Sequence, residues 1–516
     1  MNSITIKLPE ENREITVPQG AKLSDALHLE TPCGGHGLCG KCRVEIRLPG
    51  EEQFRTVSAC RYTAEQDLEV RLPKRTEGHQ ILTDIGTPSQ AADDASPGAR
   101  TGNNTGNRET DGTAEPSVNR SRILAAAFDV GTTTLAGYLL DGETGKLLAS
   151  AGRLNPQTEY GADVISRTEY ANKNGTATLT NCVRAALDEL LGELCASAGA
   201  ERHSVLRCSF VGNTCMHHLL LGLSPESLGK KPYMPLKKER ATLPLAELGL
   251  HGNPEAVAEV LPVIAGFVGA DTVACMLGCR WERKDNITLL VDIGTNCEMV
   301  LGNCHRRIVC STAAGPAFEG TGISCGMRGA DGAIDHVRLE DGRIVCHVLG
   351  EGEAEGICGS GLTDLLRVLL ESGLLEESGR LENKAYNIEN SAVTLTQKDV
   401  RALQLAKAAV AAGIELMVKR YGIETGEITQ VLLAGAFGNF LDPDSAFAIG
   451  LLPQELRGKV AGIGNAAGAG AMRCLQERDA LRLADSLAAE SEFLELASMP
   501  EFQDCFVDAL AFPEED

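Results

Sequence analysis

Two sets of residues in this chain have the types and spacings to do chemistry. The first is "CGGHGLCGKC", which puts Cys33, Cys39 and Cys42 on one glycine-rich loop, with Cys60 following after 17 more residues. Three thiolates on a loop and a fourth arriving later match the C-x4-C-x2-C…C arrangement that holds a [2Fe–2S] cluster, with the first gap one residue longer here. Gly34, Gly35, Gly37 and Gly40 suit a backbone that wraps tightly and turns its amides toward sulfide. Rival chemistries fit less well. Zinc usually takes two separated C-x2-C pairs, and this loop has one. A phosphate-binding loop needs G-x4-G-K-[ST]; "GHGLCGKC" fits until Cys42 stands where the magnesium-binding hydroxyl belongs. Disulfides would require an oxidising compartment that nothing else in the chain supports. His36 could serve as a Rieske-type ligand, but the four cysteines already complete a set.

The second set is a duplicated Asp-Gly-Thr turn. "AAAFDVGTTTLAGYLLDGETGKLLASAG" (125–152) resembles "TLLVDIGTNCEMVLGNCHRRIVCSTAAG" (288–315), and the copies begin 163 residues apart. A strand that delivers a carboxylate into such a turn surrounds a phosphate with amides and hydroxyls and leaves the carboxylate free to reach its metal. The expected roles follow. Asp129 and Asp292 position Mg²⁺; Gly131, Thr132 and Thr133, with Gly294, Thr295 and Asn296, contact phosphate; Glu298 orients an attacking water. "GICGSGLTDLL" (356–366) adds Gly359, Ser360 and Gly361 at the opening of a helix, where an anion can sit. "VLLAGAFGNF" (431–440) offers Gly435, Gly438 and Asn439, small or polar residues that admit a base and ribose. One Asp-Gly turn would be ordinary structural punctuation; recurrence in two halves carries the reading.

Other clusters favour structural roles. "GIGNAAGAG" (462–470) has the wrong spacing for a dinucleotide fingerprint and no clear feeding strand, so tight helix packing is expected. His217 and His218 lack the His-Glu-x-x-His pattern and are expected to pack. Cys275 and Cys279 lie one helical turn apart; they read as core cysteines, with a second cluster between subunits as the alternative. Asp271 and Glu319 sit in glycine-rich turns, where either could touch water or metal.

Around these residues the chain divides into a small head, a tether and a large body. Residues 1–74 contain short β-like runs such as "SITIKLP", "CRVEIRL" and "DLEVRLP". Residues 75–122 are rich in Gly, Asn, Thr, Ser and Pro and poor in branched aliphatics, which predicts a flexible, disordered linker of roughly 35 Å span. From 123 to 516, strand-like and helix-like stretches alternate, predicting an α/β body of two similar halves. The chain has 516 residues and a net charge of −23, which argues against nucleic acid or an anionic membrane surface as partner. No signal peptide and no membrane-length apolar run is evident, and fourteen of the 18 cysteines are scattered through apolar segments, so a cytoplasmic protein is expected.

These motifs carry a resemblance. "DVGTTT" and "DIGTNCE" are similar to the two phosphate motifs of the actin, sugar-kinase and heat-shock-chaperone superfamily, and "VLLAGAFGNF" to its adenosine motif. The cysteine loop and "SACRYTAEQDLEVRLP" resemble [2Fe–2S] ferredoxins. Together with "NPQTEYGADVISR" (155–167), "VGNTCMHHLLLG" and "LAGAFGNFLDPDSAFAIGLLP" (433–453), the whole order resembles the reductive activators of corrinoid proteins. The resemblance implies a β-grasp ferredoxin-like head and an actin-like ATPase body. It implies a low-potential electron donor, a corrinoid protein of a methyltransferase system as partner, reduction of Co(II) to Co(I), and a possible homodimer. One departure is expected: known members have an extra middle domain after the linker, for which this chain is too short. Two alternatives stand beside it, an electron activator of a radical dehydratase and a non-catalytic nucleotide-sensing electron carrier. A plant-type cluster sits near about −400 mV. A one-electron gap of ~100–200 mV beyond it equals ~2–5 kcal/mol, which nucleotide-dependent contacts would have to supply.

Overall fold

The computed structural model describes residues 3–9, 13–27, 42–51, 53–72, 123–350, 352–389 and 391–514. Cys33, His36, Cys39 and the expected linker (75–122) lie outside them.

In the head, alternating apolar residues build β1 (Ser3–Leu8), β2 (Arg13–Pro18), β3 (Ala21–Lys22), β4 (Arg43–Arg47), β5 (Arg55–Ser58), β6 (Thr63–Ala64) and β7 (Leu68–Arg71), with α1 (Leu23–Ala26) between β3 and β4. The main sheet runs β2-β1-β7-β4-β5, with β1 parallel to β7 and its other neighbours antiparallel. This is the mixed sheet of a β-grasp fold. Ile6, Val44, Ile46, Leu68 and Val70 face inward and form its core, because a period of two sends every second side chain to one face. Cys42 and Cys60 are buried in that same core.

The body repeats one plan twice. Its first half contains β8 (Leu124–Val130), β9 (Thr134–Asp141), β10 (Leu147–Leu154), α2 (Val164–Asn174), α3 (Ala177–Ser197), β11 (Val205–Val211), α4 (Thr214–Leu221), β12 (Ala241–Pro244), β13 (Val257–Val260) and α5 (Ala270–Gly278). The second contains β14 (Thr288–Ile293), β15 (Cys297–Gly302), β16 (Arg307–Thr312), β17 (Ala333–Glu340), β18 (Arg343–Val348), β19 (Gly356–Ile357) and α6 (Gly359–Glu371). It continues with β20 (Ala385–Asn387), β21 (Thr394–Thr396), α7 (Gln397–Tyr421), β22 (Gln430–Ala434), α8 (Gly435–Phe440), α9 (Pro443–Ala448), β23 (Val460–Gly462), α10 (Ala466–Gln476) and β24 (Glu492–Phe493).

The sheets run β10-β9-β8-β11-β13-β12 and β23-β22-β14-β15-β16-β24. In each, the first strand of an antiparallel three-strand meander pairs in parallel with a later strand. Asp129 lies opposite Val211 across β8/β11, and Asp292 lies opposite Ala434 across β14/β22. The two aspartates therefore occupy equivalent positions, and the duplication seen in the sequence is a duplication of topology.

A core shared by the halves joins them. Val273, Ala274 and Leu277 of α5 pack with Ala467, Ala471 and Met472 of α10 and with residues of β8 and β14. The close approach needs glycine: a Cβ at Gly470 would overlap the Ala274 carbonyl. The packing role expected for "GIGNAAGAG" is thus met. One detail differs, since a strand does feed it: β23 is three residues long, too short to leave a periodic signal in the sequence.

Candidate nucleotide site between the halves

A cavity of about 380 Å³ opens between the two halves. It is lined by Asp129, Gly131, Thr132 and Thr133 from the first turn and by Asp292, Gly294, Thr295, Asn296 and Glu298 from the second. Gly359, Ser360 and Gly435 also line it, so most of the residues singled out from the sequence share one space. Gly361, Gly438 and Asn439 do not. Gly361 packs against the Ile334 carbonyl, Gly438 lies on Leu433, and Asn439 is exposed beside Gly462. Spacing within a helix cannot tell which face of a Gly-rich turn meets the ligand and which meets the sheet.

Gly435 shows how tightly the second half is assembled. Its φ of +81° is in the left-handed region, and a Cβ there would stand 2.7 Å from Asp292 Oδ1. Only glycine brings the "AGAFGN" helix this close to the strand that carries the aspartate. On the other side of the same carboxylate, the Cys275 thiol donates to Asp292 Oδ2 at 3.6 Å. Cys275 is the core cysteine the sequence suggests, but its thiol also touches the site.

Several residues arrive from distant parts of the chain. Asp271, in the first turn of α5, lines the cavity, as does Glu319, whose Oε1 accepts from Thr295 Oγ1 at 2.7 Å. Two helix-capping asparagines do double duty. Asn213 caps α4 by accepting from Met216 N–H at 3.0 Å and donates to Thr132 Oγ1 at 2.6 Å. Asn465 caps α10 by accepting from Gly468 N–H at 2.6 Å and donates to Asp129 Oδ2 at 2.9 Å. Sequence reasoning missed both; the local signal was an Asn at the start of a helix, which reads as a cap and nothing more.

The electrostatics are lopsided. Six carboxylates (Asp129, Asp271, Asp292, Glu298, Glu319 and Asp335) line the cavity against one guanidinium, that of Arg328. Burial, then Asp292, push Asp129 up to about 6, opposed by the Asn465 amide. Burial together with Asp292 and Asp129 raises Asp271 as well. Glu298, directly across the β14/β15 register from Asp292, is held well above the usual carboxylate range by burial and by Asp271 and Asp292. Clustered hard oxygen donors whose charges oppose one another suit a hard divalent cation, and a polyanion could enter such a lining only with one.

Apolar side chains share the lining: Phe318, Met327, Phe437 and Phe440, with the Phe318 and Phe437 rings stacked at 4.7 Å between centroids. His217 and His218 stand outside the cavity. His218 lies 2.8 Å from the Thr214 carbonyl through Nδ1 and accepts from Leu236 N–H at 2.9 Å, the local packing role expected for it.

In the head, two of the four candidate ligands come together. Cys42 and Cys60 are both buried, Arg43 pairs with Ser58, and Ala59 N–H donates to the Cys42 carbonyl at 2.9 Å. Their backbones are adjacent, as two ligands of one centre require.

Duplicated meanders with an aspartate at each equivalent strand end, closing on one cleft, define a protein of the actin-like ATPase class. Accordingly, residues 286–516 match the family described as the C-terminal domain of RACo, the ASKHA domain, and residues 124–284 match the RACo middle region. The corrinoid activation enzyme RamQ of Eubacterium limosum is 32% identical across 97% of this chain and 98% of its own length. The [Co(II) methylated amine-specific corrinoid protein] reductase of Methanosarcina barkeri is 30% identical over 49% of this chain and 51% of its own. A solved reductive activator for corrinoid, iron–sulfur protein superposes with a TM-score of 0.71 at 29% identity, covering 99% of both chains. This chain belongs to the family of reductive activators of corrinoid proteins.

One expectation is corrected here. The middle region is present. It coincides with the first copy of the duplicated unit, so residues assigned from the sequence to half of the ATPase body are the ones thought to be missing. Among the described residues, no helix is long and apolar enough to cross a membrane.

Proposed function

We propose that the protein is an ATP-dependent reductive activator that brings the Co(II) centre of a partner corrinoid protein to Co(I). The observation that carries this reading is the convergence of Asp129 and Asp292, from equivalent strand ends, on one acidic cavity between the halves. Cys33, Cys39, Cys42 and Cys60 would hold a [2Fe–2S] cluster, which supplies one electron at a time from a low-potential donor. Asp129 and Asp292, with Asp271 close by, would hold Mg²⁺, which screens phosphate charge and polarises the terminal phosphoryl group.

The chain's own residues do the rest. The first turn supplies Thr132 and Thr133 to phosphate, and Asn213 fixes the Thr132 hydroxyl from the start of α4. The second supplies Thr295 and Asn296, with Glu319 fixing the Thr295 hydroxyl. Glu298 holds a water for attack, and the apolar lining of Phe318, Met327, Phe437 and Phe440 takes the base. Since each turn belongs to a different half, nucleotide contacts made by both favour a closed arrangement, and hydrolysis removes part of that preference. The difference is what can be spent on an unfavourable electron transfer. The setting proposed is cytoplasmic, where a reduced corrinoid and a low-potential donor coexist.

The test is direct. Full-length protein, a low-potential donor, Mg²⁺–ATP and a Co(II) corrinoid protein should together develop the Co(I) absorbance, and omitting ATP should slow it greatly. Equal rates with and without ATP would refute the coupling; recovery of a radical dehydratase and no corrinoid protein in an ATP-dependent pull-down would redirect the assignment.

A further inference from the structure

We infer that Arg167 is a positioning residue for the phosphates, a buried positive charge behind the first phosphate turn whose counter-anion is the nucleotide itself. The inference rests on the nucleotide reading above. Arg167 ends the segment "NPQTEYGADVISR", which the roles assigned so far leave unexplained.

Its side chain is fully buried in α2. The guanidinium donates to the Thr132 carbonyl, to the Gly161 carbonyl at 2.9 Å and to Gln157 Oε1 at 3.1 Å, and lies 3.3 Å from Met216 Sδ. Every one of these acceptors is neutral. Asp163, the acid nearby, spends Oδ1 on the Ser166 N–H at 2.7 Å and on the Ser166 hydroxyl at 2.9 Å, capping α2. No described carboxylate forms an ion pair with Arg167. Burial draws its pKa down to about 10, so it stays cationic at neutral pH. A buried charge without a partner is strongly unfavourable, and hydrogen bonds to neutral groups only partly offset that.

The same segment fixes the turn in front of it. Asn155 Nδ2 donates to the Gly131 carbonyl at 2.8 Å, Asn155 N–H donates to the Thr133 carbonyl at 2.9 Å, and Arg167 takes the Thr132 carbonyl between them. Three successive carbonyls are thus tied back toward Asn155 and Arg167. Across a trans peptide the N–H points opposite to the C=O. The N–H groups of Thr132, Thr133 and Thr134 therefore face away from the clamp, and all three residues line the cavity. The clamp aims donors at the phosphate position and places a full positive charge one layer behind them, behind a cleft lined by six carboxylates and one guanidinium.

The test compares ATP, ADP and AMP binding by competition in the full-length protein and in Arg167→Met and Arg167→Lys. Arg184→Met is the control, because Arg184 also donates to a backbone carbonyl (Leu220, 2.9 Å) but holds no part of the turn. Arg167→Met should weaken ATP roughly a hundredfold and leave AMP within about twofold, while Arg167→Lys, with charge but no fork, should lose about tenfold. Arg184→Met should bind all three as wild type does. Equal losses for ATP and AMP, or the same losses in Arg184→Met, would make Arg167 an ordinary strut and overturn the inference. Where Arg167→Met fails to fold, the lysine variant decides: wild-type ATP affinity overturns it. Wild-type protein that binds none of the nucleotides overturns the nucleotide reading and this inference together, whereas wild-type binding matched by both variants overturns the inference alone.

Discussion

Asn465 offers the sharpest probe of the site, because its two amide atoms do different jobs. Its oxygen caps α10 and its nitrogen holds Asp129. Asn465→Ala loses both: about 1 kcal/mol for the cap and roughly 1.5–3 kcal/mol for a hydrogen bond to a carboxylate. Spread over residues 123–514 at ~2.1 cal/mol/K per residue, a loss of ~3 kcal/mol lowers Tm by about 4 °C. Asn465→Asp keeps a good cap but sets a second carboxylate against Asp129. The pH dependence separates the effects. Asp129 in the folded chain titrates at about 6 against 3.8 unfolded, so its charge subtracts from stability as pH rises through that window and by a constant amount above it. The amide opposes that penalty only where Asp129 is ionised. Its loss should therefore hurt less at pH 5 than at pH 8. It should also push the Asp129 pKa further up, moving the acidic limb of ATP turnover to higher pH in both variants. Thermal melts at the two pH values and steady-state hydrolysis across pH 5–9 read both quantities. An Asn465→Asp protein with the wild-type turnover profile would refute the claim that an ionised Asp129 is required.

Asp292→Asn keeps shape but removes a charge facing the cation, so ATP hydrolysis should collapse while iron content stays the same; full turnover would exclude this carboxylate from the site. Cys42→Ser with Cys60→Ser should abolish iron and sulfide binding, measured after anaerobic purification, while leaving nucleotide binding intact. Gly470→Ala should drive a methyl group into the Ala274 carbonyl and destabilise the fold by about 1–3 kcal/mol in denaturant titrations, more than the same change at the exposed Gly426, where a Cβ meets nothing.

The strand–Asp–turn units were legible because each is local: apolar alternation, a carboxylate and a tight turn within a dozen residues. Duplication made them conspicuous and also predicted the topology, since like segments fold into like meanders. The partners were not legible. Asp271 reaches Asp129 and Asp292 only through the packing of α5, and Asn465 meets a carboxylate 336 positions away. Nothing within "NPQTEYGADVISR" marks Arg167 as buried, and only the folded chain shows it wholly enclosed behind the first turn. The middle region was misjudged for a related reason: a repeated unit, once recognised, absorbed the residues that family members count separately.

The glycine contact between α5 and α10 has a mechanical consequence. Backbone touches backbone there, and atoms already in contact cannot be compressed or slid without loss of packing. Sliding the halves past each other would break that contact, so rotation about the crossing is the relative motion the packing opposes least, with the crossing as its fulcrum. Asn465 and Asp271 sit at the ends of these two helices, close to the fulcrum, where displacements are small and carboxylate geometry can be kept through a cycle. The outer edges of the sheets lie on the long arms. A small angular change set by one phosphate at the cleft becomes a larger excursion at the rim, where a protein bound across both halves would feel it as torque.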